Sequence, residues 1–510
     1  GYKKSELVFN YIANPIIITF SAAILGNILG YTYFTNSFKE VYYKSFNLPN
    51  FTPTFNLEAL IITTIIPISI ILIFNYLYIY KKLNFSPLDF LRKNFGITEE
   101  ILSFEKTAEE QIQHVFEQYQ DIQKYNQYKV LNAMQKCRLS DTHFNWTTGY
   151  GYNDVGREKV EEIFSVVFET EDALVRSTIV NGTHALTLCL QGLLFPGDVM
   201  LSISSKPYDT LDKVIGISED SHSLVSYGVR YKQVDFLEDG SFDRVSIEKV
   251  MRKTPDLKMV YIQRSKGYSN RKSLSVEDIE SIVTFVRSIN RDVIIMVDNC
   301  YGEFLETREP TEVGVDIMAG SLIKNPGGGL ALTGGYICGK KHLIDAVAKR
   351  LTSPSIGKEC GLTFGMTRTI LQGLFLAPSV VAGAVKGAIF CSKLFENQGY
   401  RTFPQSGDVR SDIIQAVQLN SAEEIIAFCK GVQEASPVDA FVSPEPWEMP
   451  GYDDPVIMAA GNFIQGSSIE LSADAPIREP YTVFFQGGLT YEYSKIGSLL
   501  ALKNIINLKK

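Results

Sequence analysis

The sequence predicts an α/β protein: a mainly parallel sheet covered by helices on both faces, a smaller α+β domain after it, and a two-helix transmembrane hairpin before it. Three observations carry this reading. Short apolar runs alternate with helical stretches from residue 146 to 340, the pattern of a sheet buried on both sides. Two of those runs end in charge, 293–297 leading into Asp298 and 317–323 into Lys324. Two uncharged segments near the start are each long enough to cross a bilayer. The domains expected are 1–94 (hairpin), 95–145 (helical lead-in), 146–345 (large domain) and 346–510 (small domain).

Composition narrows the function classes. With 510 residues the chain has room for two or three domains and a large core. The net charge of −8, with no basic stripe, argues against a nucleic-acid partner. The seven cysteines are scattered without a C-x-x-C, which fits reduced thiols in a cytoplasmic domain rather than disulfides or zinc. The five histidines have no metal-ligand spacing, and no metal is expected.

The hairpin segments are 15–34 (PIIITFSAAILGNILGYTYF) and 60–80 (LIITTIIPISIILIFNYLYIY). Tyrosines flank them as an interfacial belt would require. Lys3 and Lys4 precede the first; Lys81, Lys82, Arg92 and Lys93 follow the second. The positive-inside rule then puts both ends in the cytoplasm. Absence of a small-residue cleavage site argues against a signal peptide, and a buried soluble helical pair is the alternative. This segment, with its KKLNFSPLDFLRKN tail, resembles the C-terminal part of FtsX-like ABC transporter permeases. Two spans alone cannot form a transport path. The chain opens on Gly1 rather than Met, and an upstream piece is expected; a gene fusion and two neighbouring genes read as one both stay open.

Residues 97–134 contain neither proline nor glycine, and Ile101, Phe104, Ala108, Ile112 and Phe116 recur at helical spacing. They predict an amphipathic helix lying on a larger body, with a coiled-coil arm as the alternative.

In the large domain, strands are expected at 173–175, 200–203, 259–263, 293–297 and 317–323, with helices at 157–168, 183–194 and 276–289. The turn Asn181-Gly182-Thr183 opens one helix; its backbone N–H groups and hydroxyl suit a phosphate, or make an ordinary N-cap. Tyr208, in the turn after the next strand, is placed to stack on a planar ring or to sit on the surface. Asp298 and Lys324 lie 26 residues apart, about one crossover between neighbouring strands. Such a pair faces one crevice at the sheet edge. Pyridoxal phosphate chemistry needs both: the lysine forms a Schiff base, and the carboxylate keeps the pyridine nitrogen protonated so the ring takes up electrons. A capping aspartate with a solvated lysine is the other reading.

The segments NGTHA, KPYDTL, YIQRSKGYS, VDNCYGEF, AGSLIKNPGGGLA and TGGYICG together resemble the aluminium-resistance or methionine γ-lyase family, a branch of the fold-type-I pyridoxal-phosphate enzymes. Matching stretches are spread over residues 95–510. The resemblance implies a three-layer sandwich in which Lys324 carries the cofactor and Asp298 meets its ring nitrogen. It implies that Gly182, Thr183 and Ser321 hold the phosphate and that Tyr208 stacks on the ring. More distant relatives reach the phosphate with a Tyr-x-Arg segment from a neighbouring subunit. Here Tyr152 is the candidate donor and Arg157 a weaker one, so a homodimer or homotetramer is expected. One residue of the Gln263-Arg264-Ser265 turn, with Arg264 as the candidate carried forward, is expected at the cofactor's phenolic oxygen, with a loop salt bridge as the alternative. His184 reads as structural.

Helices at 344–351, 366–397 and 422–432 and strands at 401–403 and 417–419 make the small lobe. Arg410 and Arg478 are its candidates for the substrate α-carboxylate, because a guanidinium binds a carboxylate bidentately. The function expected is a pyridoxal-phosphate carbon–sulfur lyase acting on a sulfur amino acid, with Lys324 as base, Asp298 paired with the ring nitrogen and Tyr208 stacked on the ring. Two rivals stand beside it: a transporter-associated protein whose soluble part is a binding module, and a pyridoxal-phosphate enzyme running racemisation or transamination.

Overall fold

The computed structural model describes residues 4–46, 56–83, 87–267, 271–448 and 454–509. Lys3, residues 84–86 of the basic tail, 268–270 of YIQRSKGYS and 449–453 lie outside the described residues. The chain divides into two units, Gly1–Thr98 and Glu99–Lys510.

In the first unit two helices are long and apolar enough to cross a membrane, Ile17–Ser45 and Leu57–Tyr78, and none of either hydropathic window is buried. Each holds one π-helical turn, Gly30–Phe34 and Ile61–Ile65. The second turn immediately precedes Ile66-Pro67, where a missing N–H disturbs the helical ladder. Among the described residues, Asn27 Nδ2 of one helix donates to Thr64 Oγ1 of the other at 2.6 Å.

The second unit begins with the helix Glu99–Lys136. It packs on the body of the unit rather than projecting as an arm. Asn126 donates to the Phe304 and Glu306 carbonyls, and Lys495 pairs with Glu105 at 2.8 Å. Behind it a seven-stranded sheet runs β1 (Asp172–Arg176), β7 (Gly335–Gly339), β6 (Ile317–Ser321), β5 (Ile294–Asp298), β4 (Leu257–Gln263), β2 (Val199–Ser202), β3 (Arg230–Gln233). Only β7 runs against its neighbours, so the sheet is mainly parallel as the alternation predicts. β5 and β6 are buried at every position and pair directly, Asp298 opposite Ala319. The span between them carries one 3-10 turn, Pro310–Val313, and no α-helix.

A five-stranded antiparallel sheet forms the small lobe, in the order β10 (Val456–Ala459), β11 (Ser472–Pro476), β12 (Thr482–Gln486), β9 (Ile414–Gln418), β8 (Arg401–Phe403). The helix Thr367–Glu396 is also apolar enough to span a bilayer, but 67% of its most apolar window is buried within the unit. Its apolar surface is core.

Candidate active site

The carboxyl ends of β4, β5 and β6 finish side by side, and three cavity residues follow from that. Gln263 closes β4 opposite Asp298, which closes β5, and Ser321 closes β6. Lys324 lies just beyond, before the turn Asn325–Gly327. The helix Gly182–Leu193 starts at the same edge, with the Asn181 side chain accepting from the His184 N–H at 2.8 Å. His184 accepts from the Val180 N–H at 3.1 Å and is structural, and burial lowers its pKa.

These residues line one cavity of about 460 Å3: Gly182, Thr183, Tyr208, Asp298, Ser321 and Lys324 all face it. Glycine at 182 is a packing requirement. A Cβ there would lie 3.2 Å from Ser321 Cβ and 3.3 Å from Cys300 Sγ. The Thr183 and Thr210 hydroxyls are 2.8 Å apart, tying the Tyr208 turn to the helix start.

Asp298 is 5% exposed. It accepts from the Cys300 N–H at 3.1 Å and the Tyr261 hydroxyl at 3.3 Å. Burial raises its pKa, against the Cys300 N–H and the Lys324 charge. The Lys324 ammonium lies 4.0 Å from the centroid of the Tyr301 ring. Burial favours its neutral form, yet Cys300, Tyr301, Asp298 and Glu303 hold its pKa above the ordinary lysine value. Tyr301 has φ 67° and donates to the Ser467 carbonyl at 3.0 Å, a left-handed geometry that a bulky side chain adopts only under tertiary constraint.

The donor set fits pyridoxal phosphate. A helix amino end and a serine hydroxyl suit the phosphate, a buried carboxylate suits a ring nitrogen, and an amine suits an aldehyde. Tyr208 offers an aromatic wall.

Other expected residues fall elsewhere. Arg264 is turned away from the cavity and fully buried, bonded to Glu306 (2.7 Å), Asn299 (2.9 Å) and the Leu274 carbonyl (3.3 Å). It is the loop salt bridge, because two carboxylates behind the sheet edge, Glu306 and Glu309, draw its guanidinium inward. Arg157 is likewise spent on the Gly361 (3.1 Å) and Glu359 (3.2 Å) carbonyls. Arg410 is 1% exposed and does not line this cavity; it packs on Gln415 and the Pro404 carbonyl. Arg478 is exposed and paired with Asp454 at 2.9 Å, outside the cofactor-sized cavity. Tyr152 is 55% exposed beside Tyr150, and it does not line this cavity of its own chain.

Residues not singled out beforehand also contribute. Cys300 and Tyr301 line the cavity as neighbours of Asp298. Glu303 sits fully buried behind it, accepting from the Tyr336 hydroxyl, and burial holds its carboxyl up at about 8. Their only sequence signal is position, one turn after the strand that ends in Asp298.

The chain matches the methionine gamma-lyase family over residues 101–506. It is 49% identical to a solved Clostridium acetobutylicum protein described as a candidate cystathionine beta-lyase involved in aluminum resistance, covering 81% of this chain and 97% of that one, with TM-score 0.79. A carbon-sulfur lyase involved in aluminum resistance from Clostridium novyi is 53% identical, covering 82% and 98%, also with TM-score 0.79. The Bacillus subtilis protein YnbB is 48% identical over 395 residues, 76% of this chain and 93% of YnbB.

Proposed function

Since the chain belongs to the methionine gamma-lyase family, we propose that it is a pyridoxal-phosphate-dependent carbon–sulfur lyase acting on a sulfur amino acid. The observation that carries this is the meeting of Asp298, Lys324 and the Gly182–Thr183 helix start in one cavity. The net reaction takes a thioether amino acid and water to a 2-oxo acid, ammonia and a thiol.

Gly182, Thr183 and Ser321 would hold the cofactor's phosphate, Asp298 its ring nitrogen and Lys324 its aldehyde carbon, with Tyr208 against the ring. When bound, the cofactor supplies an electron sink for the carbanion formed at the substrate Cα. Lys324 is the base that takes the Cα proton and later returns one. Asp298, fixed by the Cys300 N–H and Tyr261 hydroxyl, keeps its negative charge directed into the cavity. Tyr301, anchored on Ser467, sets where the Lys324 amine rests. Glu303, whose carboxyl burial holds up at about 8, is one of the groups that raise the proton affinity of the Lys324 amine.

The test is Lys324→Ala in the full chain. Added pyridoxal phosphate should no longer give the protein-bound visible absorbance band, and 2-oxo acid release from methionine, cystathionine and cysteine should vanish. Retention of both band and turnover would refute the assignment.

The first unit is proposed as a membrane hairpin with both ends, and the enzyme, on the cytoplasmic side. The wholly unburied apolar helices support it. Alkaline carbonate extraction is the check: release of the full chain into the soluble fraction would end the membrane reading. A homodimer or homotetramer in which Tyr152 serves the neighbouring subunit's phosphate is proposed as well, supported by its exposure away from its own cavity.

A further inference from the structure

The cofactor-sized cavity shares Tyr208, Gln263 and Gly267 with a second one of about 1020 Å3. Among the described residues the first has one cationic side chain in its lining, Lys324. The second has Lys206, Lys266, Arg271, Lys272 and Arg478. Lys206 pairs with Asp209 (3.6 Å) and Asp212 (2.5 Å), and Arg478 with Asp454 (2.9 Å). The Lys266 ammonium donates to the Phe403 carbonyl at 2.6 Å, while its backbone N–H meets Asp412 at 3.1 Å.

Arg271 differs. It is partly buried, and its guanidinium donates to the carbonyls of Lys272 (3.0 Å), Gln263 (3.0 Å) and Ser265. Its face lies 5.2 Å from the Phe236 ring. Carbonyls satisfy its N–H groups; the buried carboxylates that act on it, Asp412 and Asp298, do so without a hydrogen bond to it, and a cation drawn from water without a direct ion pair is costly. Burial pulls it down to about 10 even though Asp412, Tyr261 and Asp298 act the other way. The carboxylates that line this cavity, Asp209, Glu238, Asp239 and Asp408, are all exposed. The cavity is therefore cationic at its covered wall, next to Gln263 and Tyr208, and too large for a methylthio group alone.

We propose that this second cavity receives the leaving half of the substrate, and that Arg271 binds a carboxylate carried on the departing thiol. The substrate class is then an amino acid thioether whose leaving thiol is anionic. Arg271 is a specificity-determining residue, distinct from the expected Arg410 and Arg478. This rests on the lyase reading above for the site beside it.

Calorimetric titration of the full chain without added cofactor tests the site itself. Wild type should bind 3-mercaptopropionate about tenfold or more tightly than its methyl ester, as a charge-assisted contact implies. Arg271→Gln should abolish that difference, and Arg271→Lys should keep part of it. Equal binding of acid and ester by wild type overturns the proposal. So does an unchanged preference in Arg271→Gln, or loss of pyridoxal phosphate uptake in that variant, which would assign Arg271 to the cofactor. With the cofactor added, the kcat/KM ratio for S-(2-carboxyethyl)cysteine over S-propylcysteine should be about tenfold or more in wild type and near one in Arg271→Gln. A ratio that survives the substitution overturns it. Failure of the lyase reading would show separately, as absence of the visible band in wild type.

Discussion

The Lys324 ammonium rests 4.0 Å from the centre of the Tyr301 ring, and the two residues follow the ends of paired strands. Because β5 and β6 run parallel in register, the residues after Asp298 and after Ser321 emerge at one edge. That contact joins the acid's turn to the amine's loop.

Replacing Tyr301 with Ala should lower the proton affinity of Lys324. A desolvated cation–π contact contributes about 2 kcal/mol, or roughly one and a half pH units. The pH dependence of the rate of pyridoxal phosphate uptake should move to lower pH by about that amount. Tyr301→Phe, which keeps the ring and loses only the Ser467 tether, should stay nearer wild type. An unmoved profile in the Ala variant would show that the ring contact is incidental.

Gly182→Ala places a methyl group 3.2 Å from Ser321 Cβ and 3.3 Å from Cys300 Sγ. Overpacking of this kind costs about 1–3 kcal/mol. Here it falls on the cavity wall, so cofactor affinity should drop by about tenfold or more while the protein still folds. Titration with pyridoxal phosphate, followed by absorbance, measures it; wild-type affinity would mean that the helix start does not face the phosphate.

Arg264→Met should behave as a stability variant. It leaves Glu306 and Glu309 without their buried partner, at a cost of about 3–5 kcal/mol. Urea unfolding should show that loss. The folded fraction should keep a cofactor band at the wild-type wavelength. A shifted band with unchanged stability would return Arg264 to the cofactor site.

Glu303 should make stability fall with rising pH. Its carboxyl is pushed up to about 8 from an ordinary 4.5, chiefly by burial. Between those values the unfolded chain has released the proton while the folded chain retains it. The folded state therefore binds more protons, and unfolding free energy declines through this window by at most roughly 1.4 kcal/mol per pH unit. Glu303→Gln cannot titrate, and its stability curve should be flatter from about pH 5 to 8. Parallel curves for variant and wild type would show that Glu303 ionises normally.

Much of the cavity was legible because it depends on strand ends. An apolar run followed by Asp298, and another followed by Lys324, specify parallel neighbours whose terminal residues share an edge, and the Gly182–Thr183 helix start is equally local. Glu303 carried no such mark: a glutamate in a turn looks like surface until Tyr336 and the sheet close over it.

The sequence by itself determined the alternating strands and helices, the two apolar segments near the start, and the acid, amine and phosphate-type turn, since periodicity and strand termini are properties of neighbouring residues. Tertiary structure alone decided where the arginines point. Arg264 turned to Glu306, Arg410 went into the small-lobe core, and Arg271 came to line the second cavity. It also made the apolar helix Thr367–Glu396 interior packing. A long cationic side chain reaches several partners from one backbone position, and which partner it meets depends on elements far away in the chain.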